Sequence, residues 1–189
     1  MVISPRNSLL AQGVEAACRS ENNIFGYGIW THHILSVLQY GKQVSVLLGA
    51  DADIVEIAAL LHDYASIKDQ ALYQEHHFYG PHEAEKLLQA YGYPQTTILA
   101  VKECIASHRA STSTVQRTKE AVCLASADAM AHIEHVPSLL YLAYVQHKMT
   151  IDEGSTWVQE KLKQSWNKLC PEAQELMQEK YLAALMMLQ

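Results

Sequence analysis

The sequence predicts an all-α protein. Apolar residues recur at three- and four-residue spacing through most of the chain, no stretch sustains the period-two alternation of a strand, and turn-forming clusters such as Asn22-Asn23 and Gly92-Tyr93-Pro94 separate the periodic stretches. With 189 residues, 49% hydrophobic and 18% charged, the chain has globular composition and can bury a sizeable core as one domain.

A short first helix is expected over Ser8 to Arg19, where Leu9, Leu10, Val14 and Ala17 form a rough apolar face, and Ser20 to Gly28 reads as a loop. From Ile29 to about Leu48, the stripe Ile29, His33, Val37, Tyr40, Val44, Leu48 keeps helical spacing. His33 therefore lies on the core-facing stripe and His32 points away from it. Gly49 closes that helix. Asp53, with Glu56 three residues later, reads as the start of the next. That helix, Ile54 to about Tyr64, is apolar on nearly every side and is expected at the centre of the fold. It ends in His62-Asp63.

Ser66 to Phe78 reads as a polar, irregular segment containing His76-His77, with Gly80-Pro81 punctuating or opening a helix to Tyr91. A further helix, Thr96 to Ser107, delivers His108-Arg109 at its end. Ala110 to Gln116 is a Ser/Thr-rich loop, and Thr118 to Ile133 is a helix of small residues carrying Asp128. Pro137 to Gln189 reads as two or three amphipathic helices broken near Thr150-Ile151 and Pro171. It shows no cluster of ligand-type residues. Trp157 and Trp166 are read as packing residues, and His132, His135 and His147 as structural or surface histidines.

The formal net charge of -6 leaves no basic footprint, which argues against nucleic acid as a partner; a small phosphate ester needs only a local cationic pocket. Residues 1–10 lack an apolar signal-peptide stretch, and no run approaches the roughly 18 apolar residues of a membrane span. Cys18, Cys104, Cys123 and Cys170 are scattered and read as reduced thiols. The chain is expected to be soluble and cytoplasmic, with no membrane partner.

Ten histidines stand against 14 Lys and Arg, and several close helical runs. His62-Asp63 alone is a weak signal. The ordered set His33, His62-Asp63, His108 and Asp128 on successive helices is stronger, because imidazole nitrogens and carboxylate oxygens from separate helices can converge on a divalent ion.

In His33-Ile34-Leu35-Ser36-Val37, Ala58-Ala59-Leu60-Leu61-His62-Asp63 and Ala127-Asp128-Ala129 the sequence resembles the HD-domain superfamily of metal-dependent phosphohydrolases. The resemblance spans roughly Trp30 to His135. His76 to Glu85 together with Cys104 to Arg109 looks like the branch with extra histidines for a second metal. The resemblance implies an HD-type helical bundle of about seven to nine helices without a sheet, its core over residues 22–135 and residues 137–189 packed against it. It also implies His33, His62, Asp63 and Asp128 around a first metal. Asp63 would bridge to a second held by His108 and a histidine of the Gly-Pro segment. His76, four residues before Gly80, is preferred there, with His77 and His82 open. Two positions often acidic in the superfamily are Trp30 and Ser126 here.

The implied activity is hydrolysis of a phosphate ester or anhydride, of a nucleotide or other small phosphorylated metabolite, by attack of a metal-activated water. One or two divalent ions would serve, and Mn, Fe, Mg, Ni, Co and Zn all suit such ligands. His62 and Asp63 would be central to catalysis, and Arg109 and Lys68 are the nearest cations in sequence for phosphate oxygens. The alternatives are a metal- or nucleotide-binding module without turnover and di-iron oxygenase chemistry on the same scaffold. A homo-oligomer would form through the C-terminal helices.

Overall fold

The computed structural model describes residues 3–108 and 117–188. Among them there is no strand, and the fold is an all-α HD-like bundle. The long helices are α1 (Ser8–Cys18), α2 (Leu35–Leu48), α3 (Ala52–Leu61), α5 (His76–Ala90), α6 (Gln95–Ser107), α7 (Lys119–Glu134), α9 (Ile151–Trp166) and α10 (Pro171–Met187), with the short α4 (Tyr64–Lys68) and α8 (Val136–Tyr141) between them. A single π-type turn, Trp30–Ile34, leads into α2, and a second, Leu142–Gln146, follows α8.

Two helices occupy the centre. α3 buries Val55 to Leu61 without interruption, as its all-round apolar sequence predicts. α7 buries eleven of its sixteen residues, among them Ala121, Ala125, Ser126, Ala127, Ala129 and Ala131. These short side chains let α2, α9 and α10 approach α7 closely. Each fully buried Leu or Ile of this core, such as Ile57, Leu60 and Leu61, contributes about 1.5–3 kcal/mol by leaving water.

The helix boundaries correct the sequence reading in two places. α3 begins two residues before the expected start: Asp51 is its N-cap, accepting from the backbone N–H of Asp53 at 2.9 Å and Ile54 at 3.3 Å. Glu56 caps nothing and is buried. Its Oε1 accepts from Ser4 N, Ser4 Oγ and Asn7 Nδ2 at 3.0, 2.8 and 2.9 Å, and Lys42 Nζ lies 2.6 Å from Oε2. That network ties the N-terminal turn to α3 and α2.

The second correction concerns the segment from Ser66 to Phe78. It contains the end of α4, a 3-10 turn at Gln70–Leu72 and the first turn of α5, which starts at His76 with Pro81 inside it. Pro81 costs one backbone bond in the second turn, where the helix is anchored on both sides by packing. Gly80 explains why this turn fits. A Cβ there would meet Ile105 Cγ2 at 3.0 Å, tighter than an ordinary contact, and the His62 carbonyl at 3.7 Å, so the bare backbone eases the close approach of α5 to α6 and the end of α3.

The other boundaries follow the sequence. Gly49 ends α2 in the left-handed conformation, φ 61°. Thr118 caps α7, and Thr150 and Glu153 form a capping box at α9. α9 and α10 pack against α7. α10 leaves Leu176, Leu182, Met186 and Met187 exposed. The cysteines Cys18, Cys104, Cys123 and Cys170 are free and buried. Among the described residues no helix is long and apolar enough to cross a membrane.

Candidate metal centre

Six side chains from five places in the chain meet at the C-terminal end of α3. His62 and Asp63 sit where α3 ends and α4 begins, so the chain turns between them and the two adjacent side chains face the same space. His33 reaches it from the π-type turn, whose extra residue per turn re-aims side chains relative to the helix that follows. His76 stands at the start of α5, His108 at the end of α6, and Asp128 in the middle of α7.

The ligand-type atoms fall into two groups of three: His33, His62 and Asp128, and Asp63, His76 and His108, each with its atoms within 4.8 Å of one another. His33 Nε2 lies 3.0 Å from His62 Nε2 and 3.5 Å from Asp128 Oδ1. Asp63 joins the groups. Its Oδ2 is 3.3 Å from both His33 Nε2 and His62 Nε2, while its Oδ1 is 3.2 Å from His76 Nε2.

Three of the histidines are set by one local device. His62, His76 and His108 each donate Nδ1–H to the carbonyl three residues earlier, on Ala59, Tyr73 and Ile105, at 2.9, 2.8 and 2.5 Å. A carbonyl oxygen accepts only, so the proton is fixed on Nδ1 and the Nε2 lone pair of each neutral ring is left for the centre. Tyr73 also stacks on His76, ring centroids 6.2 Å apart and planes 6° from parallel. These rings are buried and pre-oriented, the state a metal-ligating histidine needs.

The electrostatics show a site built for positive charge. Burial opposes charge on His62, but Asp63 and then Asp128 outweigh it and raise its pKa to about 9. Burial also opposes ionised Asp63 and Asp128. The surrounding groups overcome it, His62 and His33 for Asp63 and His132 and Lys168 for Asp128, and hold both well below the usual carboxylate range. Burial, then the charge of His62, pushes His108 down to about 3, so it is a neutral donor. Ionised carboxylates beside imidazoles, with His62 giving up its second proton to a bound cation, are a donor set that fits divalent cations of the first transition row and zinc.

The centre opens onto a cavity of about 530 Å³. The structure brings His33, Asp63, His76 and Asp128 to its wall, with His62 and His108 packed directly behind. Lys68 is elsewhere. Its Nζ is 2.6 Å from Glu83 Oε2, and it does not line the cavity. His82 is exposed, with its ring against Phe78. Arg109, the loop from Ala110 to Gln116 and the side chain of His77 lie outside the described residues.

The sequence reading missed part of the site. His132 lies one turn beyond Asp128, its Nε2 3.6 Å from Asp128 Oδ1 and its ring stacked on His33 at 5.1 Å. Its spacing from Asp128, i to i+4, was the available signal. Part of the cavity's outer wall comes from the segment read as showing no cluster of ligand-type residues and includes Tyr141, Trp157, Lys161 and Lys168. Lys161 and Lys168, seven residues apart, flank the buried stripe Val158, Leu162, Ser165. Trp157 is therefore a wall residue as well as a packing one. Of the two positions where the superfamily is often acidic, Trp30 is buried in the core and Ser126 Oγ accepts from Cys170 N at 3.0 Å. At Ser126 the exchange fastens the C-terminal segment to α7.

No curated protein and no solved structure matches this chain. The model of the family described as HD domain matches residues 30–133, more than half of the chain, from the π-type turn that carries His33 to the end of α7 beyond Asp128. On that match, and with the histidine and aspartate side chains it brings together, the chain belongs to the HD domain family, a superfamily of metal-dependent hydrolases.

Proposed function

We propose that the protein is a phosphohydrolase that uses one or two divalent ions to hydrolyse a phosphate ester or anhydride of a nucleotide or another small phosphorylated metabolite. The observation that carries this reading is the division of Asp63, which presents one oxygen to His33 and His62 and the other to His76 at the floor of a cavity. His33, His62 and Asp128 would hold one ion, and His76 and His108 a second, with Asp63 shared. Bound divalent ions lower the pKa of water toward neutrality and offset charge developing on phosphoryl oxygens.

The chain's own residues supply orientation. The carbonyls of Ala59, Tyr73 and Ile105 keep three imidazoles in the tautomer that presents Nε2. Burial of His62, His108 and Asp128 keeps water from competing for the ligand atoms, and the wall around them limits access to the cavity side. The exposed Leu176, Leu182 and Met186 of α10 are the surface on which homo-oligomerisation is proposed, to be read by sedimentation at several concentrations.

The test is hydrolysis of a panel of nucleotides, phosphomonoesters and phosphodiesters by protein loaded in turn with Mn, Fe, Co, Ni and Mg. Phosphate release that is lost in Asp63→Ala is the expected result. Failure of every loaded form on every substrate would sink the reading, and intact nucleotide bound tightly in the presence of metal would favour a binding module instead.

A further inference from the structure

The cavity has a polar set that the metal centre leaves unused. Lys161, on α9, and Lys168, just past its end, both line it. Among the described residues they are the lysines and arginines that do so. Lys168 Nζ lies 3.6 Å from Asp128 Oδ2, and its side chain is 10% exposed. It therefore stands beside the candidate ligands while remaining on the cavity wall. Lys163 and Lys180, on neighbouring faces, are paired with Glu160 and Glu134 and do not line the cavity.

A second, independent observation comes from another element. Ser66, on α4 three residues after Asp63, lines the cavity and is 1% exposed. Its hydroxyl is the buried side-chain polar atom that has no hydrogen-bond partner among the described residues. A buried hydroxyl is rarely left unpaired in a folded protein; an ordered water or a bound molecule is its usual partner. The remaining wall is mostly apolar and aromatic, with Phe25, Ile29, Tyr73, Leu142 and Trp157.

Resting on the hydrolase reading, we propose that Lys161 and Lys168 hold the phosphate of the substrate, that the Ser66 hydroxyl completes this polar set, and that the substrate is a phosphate monoester of an organic body with an apolar face. Two ammonium groups on the wall of a cavity floored by the candidate ligands, one of them 3.6 Å from Asp128, suit a doubly charged terminal phosphate. An apolar wall gives nothing to inorganic pyrophosphate or polyphosphate, whose every face is charged, but gives binding energy to an organic group. The lysines are binding residues, placed by α9 and the residues just after it rather than by the stretch that carries the histidines.

The test measures binding to the full chain loaded with Mn, by calorimetry with inorganic phosphate, alongside metal content by elemental analysis. Lys161→Met should weaken phosphate by about ten-fold or more and Ser66→Ala by a few-fold, with metal content equal to wild type. Lys168→Met should weaken it similarly and Lys168→Arg should restore it, while Lys163→Met changes nothing. Benzylphosphonate should bind about ten-fold more tightly than methylphosphonate.

Unchanged phosphate affinity in Lys161→Met, no phosphate binding by the loaded wild type, or a loss that tracks lost metal overturns the assignment of the lysines. Equal affinity for the two phosphonates overturns the apolar substrate body. A substrate panel without turnover would remove the hydrolase reading and leave the lysine dependence of phosphate binding intact, so the two failures are separable.

Discussion

Asp63 places Oδ1 3.2 Å from His76 Nε2, although the two residues are thirteen positions apart and α4 and a 3-10 turn lie between them. The other oxygen of the same carboxylate serves His33 and His62. One side chain thus belongs to both ligand groups, and its removal is not equivalent to removal of any single histidine. His76→Ala should lower the bound metal toward half of the wild-type content, whereas Asp63→Ala should empty both positions. Elemental analysis after dialysis against limiting metal checks this. Equal loss in the two variants would count against a shared carboxylate.

Metal should also stabilise the fold. The candidate ligands come from α2's leading turn, the α3–α4 junction, α5, α6 and α7, so an ion would cross-link elements that unfolding separates. A ligand at a hundred times its dissociation constant adds about 2.7 kcal/mol. Thermal unfolding with and without a chelator should show a rise in Tm with Mn or Zn in wild type and little change in His33→Ala. A chelator-insensitive wild type would contradict the site.

Gly80 gives a packing test. Replacing it with valine inserts two methyl groups where even a Cβ would stand 3.0 Å from Ile105 Cγ2. The expected cost is about 1–3 kcal/mol from overpacking, measured by denaturant unfolding. Because the strain pushes α5 from α6, the loss of metal should fall on the group containing His76 and His108 before the group containing His33. An undisturbed Gly80→Val protein would mean that α5 does not need this close approach.

The buried Glu56 network fixes a pH dependence away from the metal centre. Burial raises the pKa of Glu56, but the contacts from Lys42, Asn7 and Ser4 together outweigh it and leave the pKa below the usual 4.5. A carboxyl group depressed on folding contributes stability that is present above about pH 4.5 and is lost as pH falls through the lower folded value. Glu56→Gln should cost about 2 kcal/mol near neutrality. That is less than a fully buried pair would lose, because the Lys42 side chain keeps 35% exposure. The gap in Tm between wild type and variant should close as pH drops below that range. A gap that widened in acid would reverse the assigned sign.

The sequence showed the helical class because the apolar spacing is local and repeated, and it showed His33, His62, Asp63 and Asp128 because they follow one another in a fixed order among apolar neighbours. The early start of α5 was hidden, since Gly80-Pro81 is turn chemistry by local rules and becomes helical only when α6 and the end of α3 press on it. The capping role of Asp53 and Glu56 was misread for a related reason: Asp51 offers the same cap two residues earlier, and Glu56 is drawn inward by Ser4, Asn7 and Lys42 from far away in the chain. Lys161 and Lys168 carry no local signature at all. Only the folding of α9 onto α7 brings both to the cavity and sets Lys168 beside Asp128.

The bond from Cys170 N to Ser126 Oγ lies two residues from Asp128 in the chain and two from Lys168. It fastens a stretch beyond residue 133, where the family match ends, to the helix that supplies the last aspartate. Histidines and aspartates are thus contributed by one length of chain and part of the outer cavity wall by another, held together by this bond and by the packing of α9 and α10 on α7. Substitutions at Trp157 or Lys161 can therefore reshape what the cavity admits while the histidines and aspartates of its floor keep their places.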